Sequence, residues 1–109
     1  MFPKRGEVWW VNFDPTKGSE IRKKRPAIVV SNNKANKHLS RIQVVPLTSN
    51  VESVYPSECL VMVKKQECKA MTEQLRTISK KRLGKKVSKL SSSELKVLEE
   101  VLKIQLGLL

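Results

Sequence analysis

The chain has 109 residues and carries 22 Lys and Arg against 10 Asp and Glu, a formal net charge of +12. Its length predicts one domain over residues 1–109, large enough to bury a core without disulfide or metal staples. The charge excess indicates a polyanionic partner, a nucleic acid or an acidic protein, and no apolar run approaches the ~20 residues of a membrane span.

The histidine and cysteine content argues against several kinds of site. The chain has two cysteines, Cys59 and Cys68, and one histidine, His38. These are too few for a zinc site of the usual kind, and any hydrolase triad would have to use His38. The four glycines do not have the spacing of a phosphate-binding loop. We therefore expect that the protein has no metal or cofactor, that its cysteines are reduced packing residues, and that its histidine is solvated. Because the sequence shows no signal-peptide pattern, we also expect a cytoplasmic protein with no membrane partner.

The first two-thirds of the chain alternates short strands with polar loops. Runs of β-branched and aromatic residues, bounded by turn residues, predict strands at 8–13, from Pro26 through AIVVS, at 41–48 and at 59–63. Polar connections are predicted at 15–25, which is long and basic, and at 32–40, which has room for a helical turn. Pro46, within the third strand, predicts an edge position or a β-bulge.

The stretch at residues 70–78 alternates in polarity, which is typical of a strand. Residues 79–83 then predict one helical turn that stops at Gly84. The two faces of the alternating stretch are Met71 with Leu75, and Thr72 with Gln74 and Arg76.

A capping-box pattern from Ser91 to Glu94 predicts the start of a terminal helix, which Gly107 closes. Its apolar residues form two stripes, at 95, 98, 102 and 106 and at 97, 101, 104 and 108. One stripe should pack on the sheet, and the other either contacts a partner or belongs to one wide buried face. Several short strands followed by one helix predict a mainly β fold with α, a small SH3-like β-barrel with a C-terminal α-helix.

The basic loop at 15–25 is the first candidate functional segment. Its cations are either solvated or form an electrostatic platform for phosphates. Arg25 differs from the others because it directly precedes Pro26 and the apolar strand. Its stem is therefore held at a rigid strand start, where a fixed guanidinium can make planar, bidentate hydrogen bonds to a phosphate. The cations of the loop are Lys17, Arg22, Lys23, Lys24 and Arg25.

Four further residues are candidates by type and position. Thr48, at a strand end and followed by polar residues, is either a strand cap or a hydroxyl donor to a phosphate oxygen. Glu20 either balances charge within the basic loop, anchors it, or acts as a general base. Trp9 and Trp10 should point to opposite faces of one strand, so that one is core and the other can stack on a base or on a partner chain.

The order of these segments resembles the MazF/PemK toxins, the endoribonuclease half of bacterial type II toxin–antitoxin systems. The resemblance spans nearly the whole chain and rests on RGEVWWVNFDPTKGSE at 5–20, KRPAIVVSN at 24–32, VVPLTS at 44–49 and EQLRTISKKRLG at 73–84. It implies an SH3-like barrel, a homodimer, and sequence-specific, metal-independent cleavage of single-stranded RNA, chiefly mRNA. It also implies a cognate antitoxin, which we expect to be acidic.

The resemblance further implies roles for individual residues. Arg25 and Thr48 match the family's catalytic arginine and threonine, and Glu20, the acid of GSE, is carried over as a third catalytic residue. The general base is Arg25 by resemblance or Glu20 by chemistry, because a guanidinium stays protonated and is a poor base. Gln74 matches a residue that contributes to RNA binding. The other side chains that we assign to RNA binding are Lys17, Arg22, Lys23, Lys24, Ser31, Asn32 and Ser49.

Two functions without catalysis fit the same fold and charge. A gyrase-poison toxin shares the fold and cuts nothing, and the presence of both Arg25 and Thr48 argues against it. An SH3-like module that binds RNA or a protein without cleaving it also fits the charge of +12. Incubation of RNA with the protein in EDTA separates the three functions.

Overall fold

The chain folds into a curled antiparallel sheet against which one long helix packs. The computed structural model describes residues 1–15, Gly18, Glu20 and 23–108. Two short 3-10 turns, Thr72–Gln74 and Lys80–Arg82, flank the sixth strand. The elements are β1 (Glu7–Asn12), β2 (Lys24–Val29), α1 (Asn33–His38), β3 (Arg41–Thr48), β4 (Cys59–Val63), β5 (Gln66–Ala70), β6 (Arg76–Ser79), β7 (Leu83–Lys89) and α2 (Ser92–Leu106).

The strands of the described residues form one sheet in the order β4-β5-β3-β2-β1-β7, and β6 also pairs with β3. β3 is central: it pairs with β2 on one side, and on the other with β6 up to Val44 and with β5 from Leu47. Pro46 lies between these two partners, opposite Ala27 of β2. The predicted edge position is therefore wrong. Pro46 is tolerated inside the sheet because it lies where the second neighbour of β3 changes.

Both faces of β2 and β3 are buried because the sheet curls. Ile28 and Val45 belong to one apolar cluster, which α2 closes through Leu98. Val29 and Val44 belong to a second cluster on the opposite face. Burial on both faces explains why β2 reads as a continuous apolar run and not as an alternating one. The mainly β fold with a C-terminal helix is confirmed.

The ends of α2 agree with the sequence prediction. The Ser91 hydroxyl accepts a hydrogen bond from the Glu94 N–H at 3.1 Å, and the Glu94 carboxylate accepts one from the Ser91 N–H at 3.0 Å. Gly107 ends the helix with φ of 70°, in the left-handed region that glycine adopts freely. No helix of the described residues is long and apolar enough to cross a membrane.

The two apolar stripes of α2 have different environments. Leu98 and Val101 are buried, whereas Val97 and Ile104 are 51% and 47% exposed. Val101 was predicted on the same stripe as Val97, so that stripe is divided between core and surface. The helix therefore has one packed face and one apolar face that the rest of this chain does not cover.

The stretch at 70–78 is not one continuous strand, although Ala70 ends β5 and residues 76–78 belong to β6. β5 ends at Ala70, a 3-10 turn follows, and β6 begins at Arg76. The hydroxyl of Thr72 is buried and donates to the Ser57 carbonyl. Its polarity therefore does not mark an exposed strand face, and the alternation reports a real strand only from Arg76 onward.

Gly84 does not end a helix either. The helical turn before it is present, but Gly84 is the second residue of β7, which pairs with β1. A Cβ at this position would lie 3.3 Å from the Cβ of Trp10. The close approach of the two strands, and not a helix stop, explains the glycine.

The cysteines and the histidine occupy the predicted environments. Cys59 and Cys68 are buried, unbridged members of the first cluster, and His38 is exposed at the end of α1. Burial raises the pKa of the Cys59 thiol to about 11. At neutral pH this cysteine is therefore a protonated packing residue and not a nucleophile.

We predict that Ser91→Ala lowers the free energy of unfolding by about 1 kcal/mol, because it removes the acceptor for the Glu94 N–H. Ser92→Ala, one residue inside the helix, is the matched control and should change stability little. Urea unfolding followed by circular dichroism measures both. Equal stability of the two variants would show that the capping box does not contribute to the fold.

Candidate functional site

The main candidate site is a cleft of about 310 Å³ where β2 begins and β3 ends. Arg25 and Thr48, the two residues matched to the family's catalytic pair, both line it. The rest of the lining is a mixture of cations, polar side chains and one exposed aromatic ring. These residues are Trp10, Lys23, Lys24, Pro26, Leu47, Ser49, Gln66 and Cys68.

The register between β2 and β3 explains why Arg25 and Thr48 meet. The two strands pair antiparallel, with Ala27 opposite Pro46 and Ile28 opposite Val45. Extending this register by two residues brings Arg25 opposite Thr48. Residues that are 23 positions apart in sequence therefore become cross-strand neighbours.

Arg25 is fixed by its strand and not by a loop. It lies within β2, opposite Val11 of β1, and is half-buried. The strand begins at Lys24, two residues before the predicted start at Pro26. An arginine whose backbone is held on a paired strand loses less freedom when its guanidinium binds an anion than one on a mobile loop does.

Thr48 ends β3 and pairs with Lys69 of β5. Its hydroxyl oxygen accepts a hydrogen bond from the Asn50 N–H at 3.2 Å. A hydroxyl that accepts one bond keeps its own proton for donation. Thr48 is therefore at once the cap of the turn that follows β3 and a donor at the cleft, so the two alternatives drawn from the sequence do not exclude each other.

The turn after Thr48 is anchored by an ion pair that is nearly buried. The Lys69 ammonium donates to the Ser53 carbonyl at 3.0 Å and lies 3.6 Å from the Glu58 carboxylate. Glu58 in turn accepts a hydrogen bond from the Tyr55 N–H at 3.0 Å. Lys69 therefore joins the strand beside Thr48 to the loop that follows it.

The start of β2 is held by contacts to the end of β1. The Lys23 N–H donates to the Asp14 carboxylate at 3.0 Å, and the Phe13 N–H donates to the Lys23 carbonyl at 2.9 Å. Lys23 has a positive φ of 66°. These bonds fix the backbone from which Lys23, Lys24 and Arg25 project, while the lysine side chains stay exposed.

The electrostatic character of the cleft is uniform. Three of its lining residues are cations, and none of those that the structure describes is acidic. In an open, partly apolar cleft such cations attract an anion more strongly than scattered surface lysines do. Across the described ranges, no three His, Cys, Asp or Glu side chains converge in a way that could hold a metal ion.

Glu20 and Gln74 do not line the cleft of Arg25 and Thr48. They line a separate cleft of about 350 Å³, together with Glu73, Leu75 and Arg76. Among the described residues, Glu20 is thus grouped with Gln74 and not with the matched catalytic pair. Its catalytic role, and the RNA-binding role of Gln74, stay predictions.

Ser31 and Asn32 lie at the opposite end of β2 from Arg25. The Asn32 carboxamide oxygen accepts a hydrogen bond from the Ala35 N–H at 2.8 Å and so caps α1. The Ser31 hydroxyl donates to the carboxamide of the buried Asn36 and accepts from the Gln43 N–H. The structure gives both side chains local structural bonds and does not bring them to the cleft. Lys17 and Arg22 lie outside the described residues.

Gln66 and Trp10 are cleft residues that the sequence-based set of RNA-binding residues lacks. Gln66 is the first residue of β5, a strand that lies between the predicted segments 59–63 and 70–78 and is not itself predicted. Its signal was the short alternation from Gln66 to Ala70 behind the Lys64-Lys65 turn, where both lysines have positive φ. Trp10 was considered for stacking only, and it is the exposed member of its pair.

Comparisons with known proteins show which family the chain belongs to. Residues 4–106 match the family described as PemK-like, MazF-like toxin of type II toxin–antitoxin system. The chain belongs to this family. It is 43% identical over 114 residues to Endoribonuclease MazF9 of Mycobacterium tuberculosis, an alignment that covers 96% of this chain and 97% of that protein.

Solved structures of such toxins share the fold. MazF from Deinococcus radiodurans superposes with a TM-score of 0.87 at 25% identity, covering 98% of each chain. An endoribonuclease from a mycobacterial species, solved in complex with its cognate antitoxin, has a TM-score of 0.83 at 21% identity and covers 98% of this chain and 97% of its own. The second likeness is one of fold alone.

Proposed function

We propose that this chain is an endoribonuclease that cleaves single-stranded RNA without a metal ion. We further propose that it is the toxin of a type II toxin–antitoxin pair and that it acts on mRNA in the cytoplasm. The observation that carries the proposal is the meeting of Arg25 and Thr48 in one basic cleft. The 43% identity to a protein named an endoribonuclease supports the same chemistry.

RNA carries its own nucleophile for this reaction. The 2′-hydroxyl attacks the adjacent phosphorus, a bond forms from O2′ to phosphorus, and the bond from phosphorus to the 5′-oxygen breaks. The 2′-hydroxyl loses its proton to a water molecule, and the leaving 5′-oxygen gains a proton from water. The products are a 2′,3′-cyclic phosphate, or the 3′-phosphate formed from it by water, and a 5′-hydroxyl.

Arg25 and Thr48 can stabilise the charge that develops in this step. In the pentavalent transition state the non-bridging oxygens carry more negative charge than in the ground state. A planar guanidinium and a hydroxyl donor held on paired strands offer hydrogen bonds that strengthen at that moment. We assign charge stabilisation and not proton removal to Arg25, because a guanidinium stays charged in proteins and has no free lone pair to accept a proton.

The first test is incubation of purified protein with a long RNA in EDTA. We expect discrete cuts with 5′-hydroxyl ends, because the proposed chemistry needs no metal ion. Primer extension maps the cuts, and end-labelling with and without phosphatase identifies the ends. Binding without any cleavage would indicate a non-catalytic RNA-binding module. Cuts that carry 5′-phosphates would contradict attack by the 2′-hydroxyl.

Substitutions at the cleft test the roles of the two side chains. Arg25→Lys keeps the charge and loses the planar fork, so we expect kcat to fall by about 10²–10³ while RNA affinity changes much less. Thr48→Ala should have a similar effect, and Thr48→Ser, which keeps the hydroxyl, should retain more activity. Single-turnover rates and binding to an uncleavable RNA measure the two quantities separately. Near-full activity of Arg25→Lys would reduce Arg25 to a generic cation.

The charge of the chain also supports an acidic partner. A cleft of cations without carboxylates in its described lining suits the Asp and Glu side chains of a peptide as well as it suits phosphates. A partly disordered acidic antitoxin could wrap a large surface at the cost of ordering itself. Its carboxylates would compete with RNA for donors that include Arg25.

A homodimer is the proposed assembly, and the exposed face of α2 supports it. Val97 and Ile104 lie one above the other on this face and are about half exposed. Edge strand β4 lies beside α2, because the Met62 N–H donates to Glu94 at 2.8 Å. Leu60 and Met62 of β4 are also exposed. Apolar side chains on neighbouring elements are typical of an interface between subunits.

We predict a dimer at micromolar concentration that persists at moderate salt, because apolar surface and not charge holds it. Sedimentation velocity gives the mass. Val97→Glu combined with Ile104→Glu should produce a folded monomer, since both side chains are surface-exposed within one chain. A wild-type monomer that still cleaves RNA would contradict the dimer as the functional unit.

A further inference from the structure

Trp10 separates two clefts, and only one of them belongs to the site described above. The first contains Arg25 and Thr48, and the second, of about 370 Å³, lies between Trp10 and the segment that joins β6 to β7. Trp10 and Lys24 line both clefts. The indole is 44% exposed, so a large apolar ring forms the ridge between two basic depressions.

The second cleft repeats the charge of the first. Lys81, Arg82 and Lys85 line it together with Lys24, and no acidic side chain lines it among the described residues. Lys81 and Lys85 are exposed, and neither forms an ion pair with any residue that the structure describes. Cations left without acidic neighbours repel one another, and a bound polyanion reduces this repulsion.

Arg82 is held in place by backbone groups. One of its guanidinium nitrogens donates to the Asn12 carbonyl at 3.0 Å and also to the Asp14 carbonyl. Carbonyl partners orient the guanidinium without cancelling its charge. Arg82 therefore contributes a fixed positive charge to the wall of the second cleft.

The strand pairing around Trp10 is irregular, and this irregularity leaves the indole exposed. Trp9 pairs with Lys86 and Val11 with Leu83, so two residues of β7, Gly84 and Lys85, oppose Trp10 alone. This is the pattern of a β-bulge, which redirects the side chains beside it. A Cβ at Gly84 would lie 3.3 Å from the Trp10 Cβ and 3.6 Å from its carbonyl oxygen. Glycine at the bulge lets the strands approach this closely and adds no side chain beside the indole.

We propose that Trp10 is a stacking platform for one RNA base, and that the cleft walled by Lys81, Arg82 and Lys85 binds the phosphates of the RNA segment that flanks the scissile bond. The proposal rests on the proposed RNA cleavage and extends it to a substrate flank. An aromatic ring between groups of cations suits a single strand, because unpaired bases can stack while the backbone follows the positive charge.

The test uses three RNAs built around one mapped cleavage site: a long substrate, a version with one flank truncated, and a version with the other flank truncated. For wild-type protein, truncation of one flank should lower kcat/KM. Trp10→Ala should lower kcat/KM for the long substrate by about tenfold, and by a clearly smaller factor for the version truncated on that flank. Trp10→Phe, which retains an aromatic face, should preserve most of the long-substrate activity.

Binding measurements identify the phosphate contacts separately. Lys81→Ala with Lys85→Ala should reduce the slope of log K against log salt by about 1.4, since each single-strand contact contributes ~0.7. The matched control is Lys34→Ala with Lys37→Ala, which removes the same charge from exposed positions of α1. This control should leave the slope of log K against log salt at its wild-type value. These measurements use RNA with a 2′-deoxy nucleotide at the cleavage site.

Fluorescence provides a readout that does not depend on turnover. The chain has two tryptophans, so Trp9→Phe leaves Trp10 as the single indole emitter. The long 2′-deoxy RNA should quench this emission and the truncated RNA should not. Thermal unfolding of each variant verifies that it is folded.

The outcomes separate this inference from the proposed function. If wild-type protein neither binds nor cleaves RNA, the proposed function fails, and this inference fails with it. If wild-type protein cleaves RNA but Trp10→Ala and the Lys81/Lys85 double variant keep the wild-type dependence on flank length and salt, the inference alone is overturned.

Discussion

The pairing of β2 with β3 is the constraint on which the site depends. Ala27 opposite Pro46 sets a register that, two residues further on, brings Arg25 opposite Thr48. A slip of one residue would move every apolar side chain of a strand to its other face. Because β2 and β3 are buried on both faces, such a slip would place each of these side chains in a cavity shaped for another. The core therefore fixes the relative position of two polar side chains at its edge.

The same arrangement concentrates positive charge. Strand β2 delivers Lys24 and Arg25, and the 3-10 turn before β7 delivers Lys81 and Arg82, to two clefts that share Trp10. Backbone carbonyls, and not carboxylates, orient Arg82. Charges held this way destabilise the free protein by mutual repulsion, and this cost is recovered when an anion binds. A preference for polyanions, whether RNA or an acidic peptide, follows from this arrangement.

The sequence predicts the parts of the fold where local pattern and tertiary environment agree. β1, β3, β4 and α2 follow from β-branched runs and from a capping box, and their ends differ from the predictions by a residue or two at most. β7 was not predicted because LGKKVSK is mostly exposed and basic, and only its pairing with β1 makes it a strand. The segment at 70–78 was misread because Thr72 is polar and yet buried through a hydrogen bond to a distant carbonyl.

For the site, motif resemblance selected Arg25 and Thr48, but their proximity depends on strand register, which composition does not encode. That Glu20 lines a different cleft from this pair likewise depends on tertiary structure alone.

In the proposed mechanism the 2′-hydroxyl of the substrate is the nucleophile, and Arg25 and Thr48 assist its attack. The decisive measurement compares two RNAs that differ only at the nucleotide 5′ to the scissile phosphate, one with a ribose and the other with a 2′-deoxyribose. Both should bind wild-type protein with similar affinity, since the phosphates and bases are the same, and only the ribose form should be cut. Cleavage of the 2′-deoxy substrate at a comparable rate would show that another nucleophile attacks the phosphate, and would contradict the mechanism proposed for this cleft.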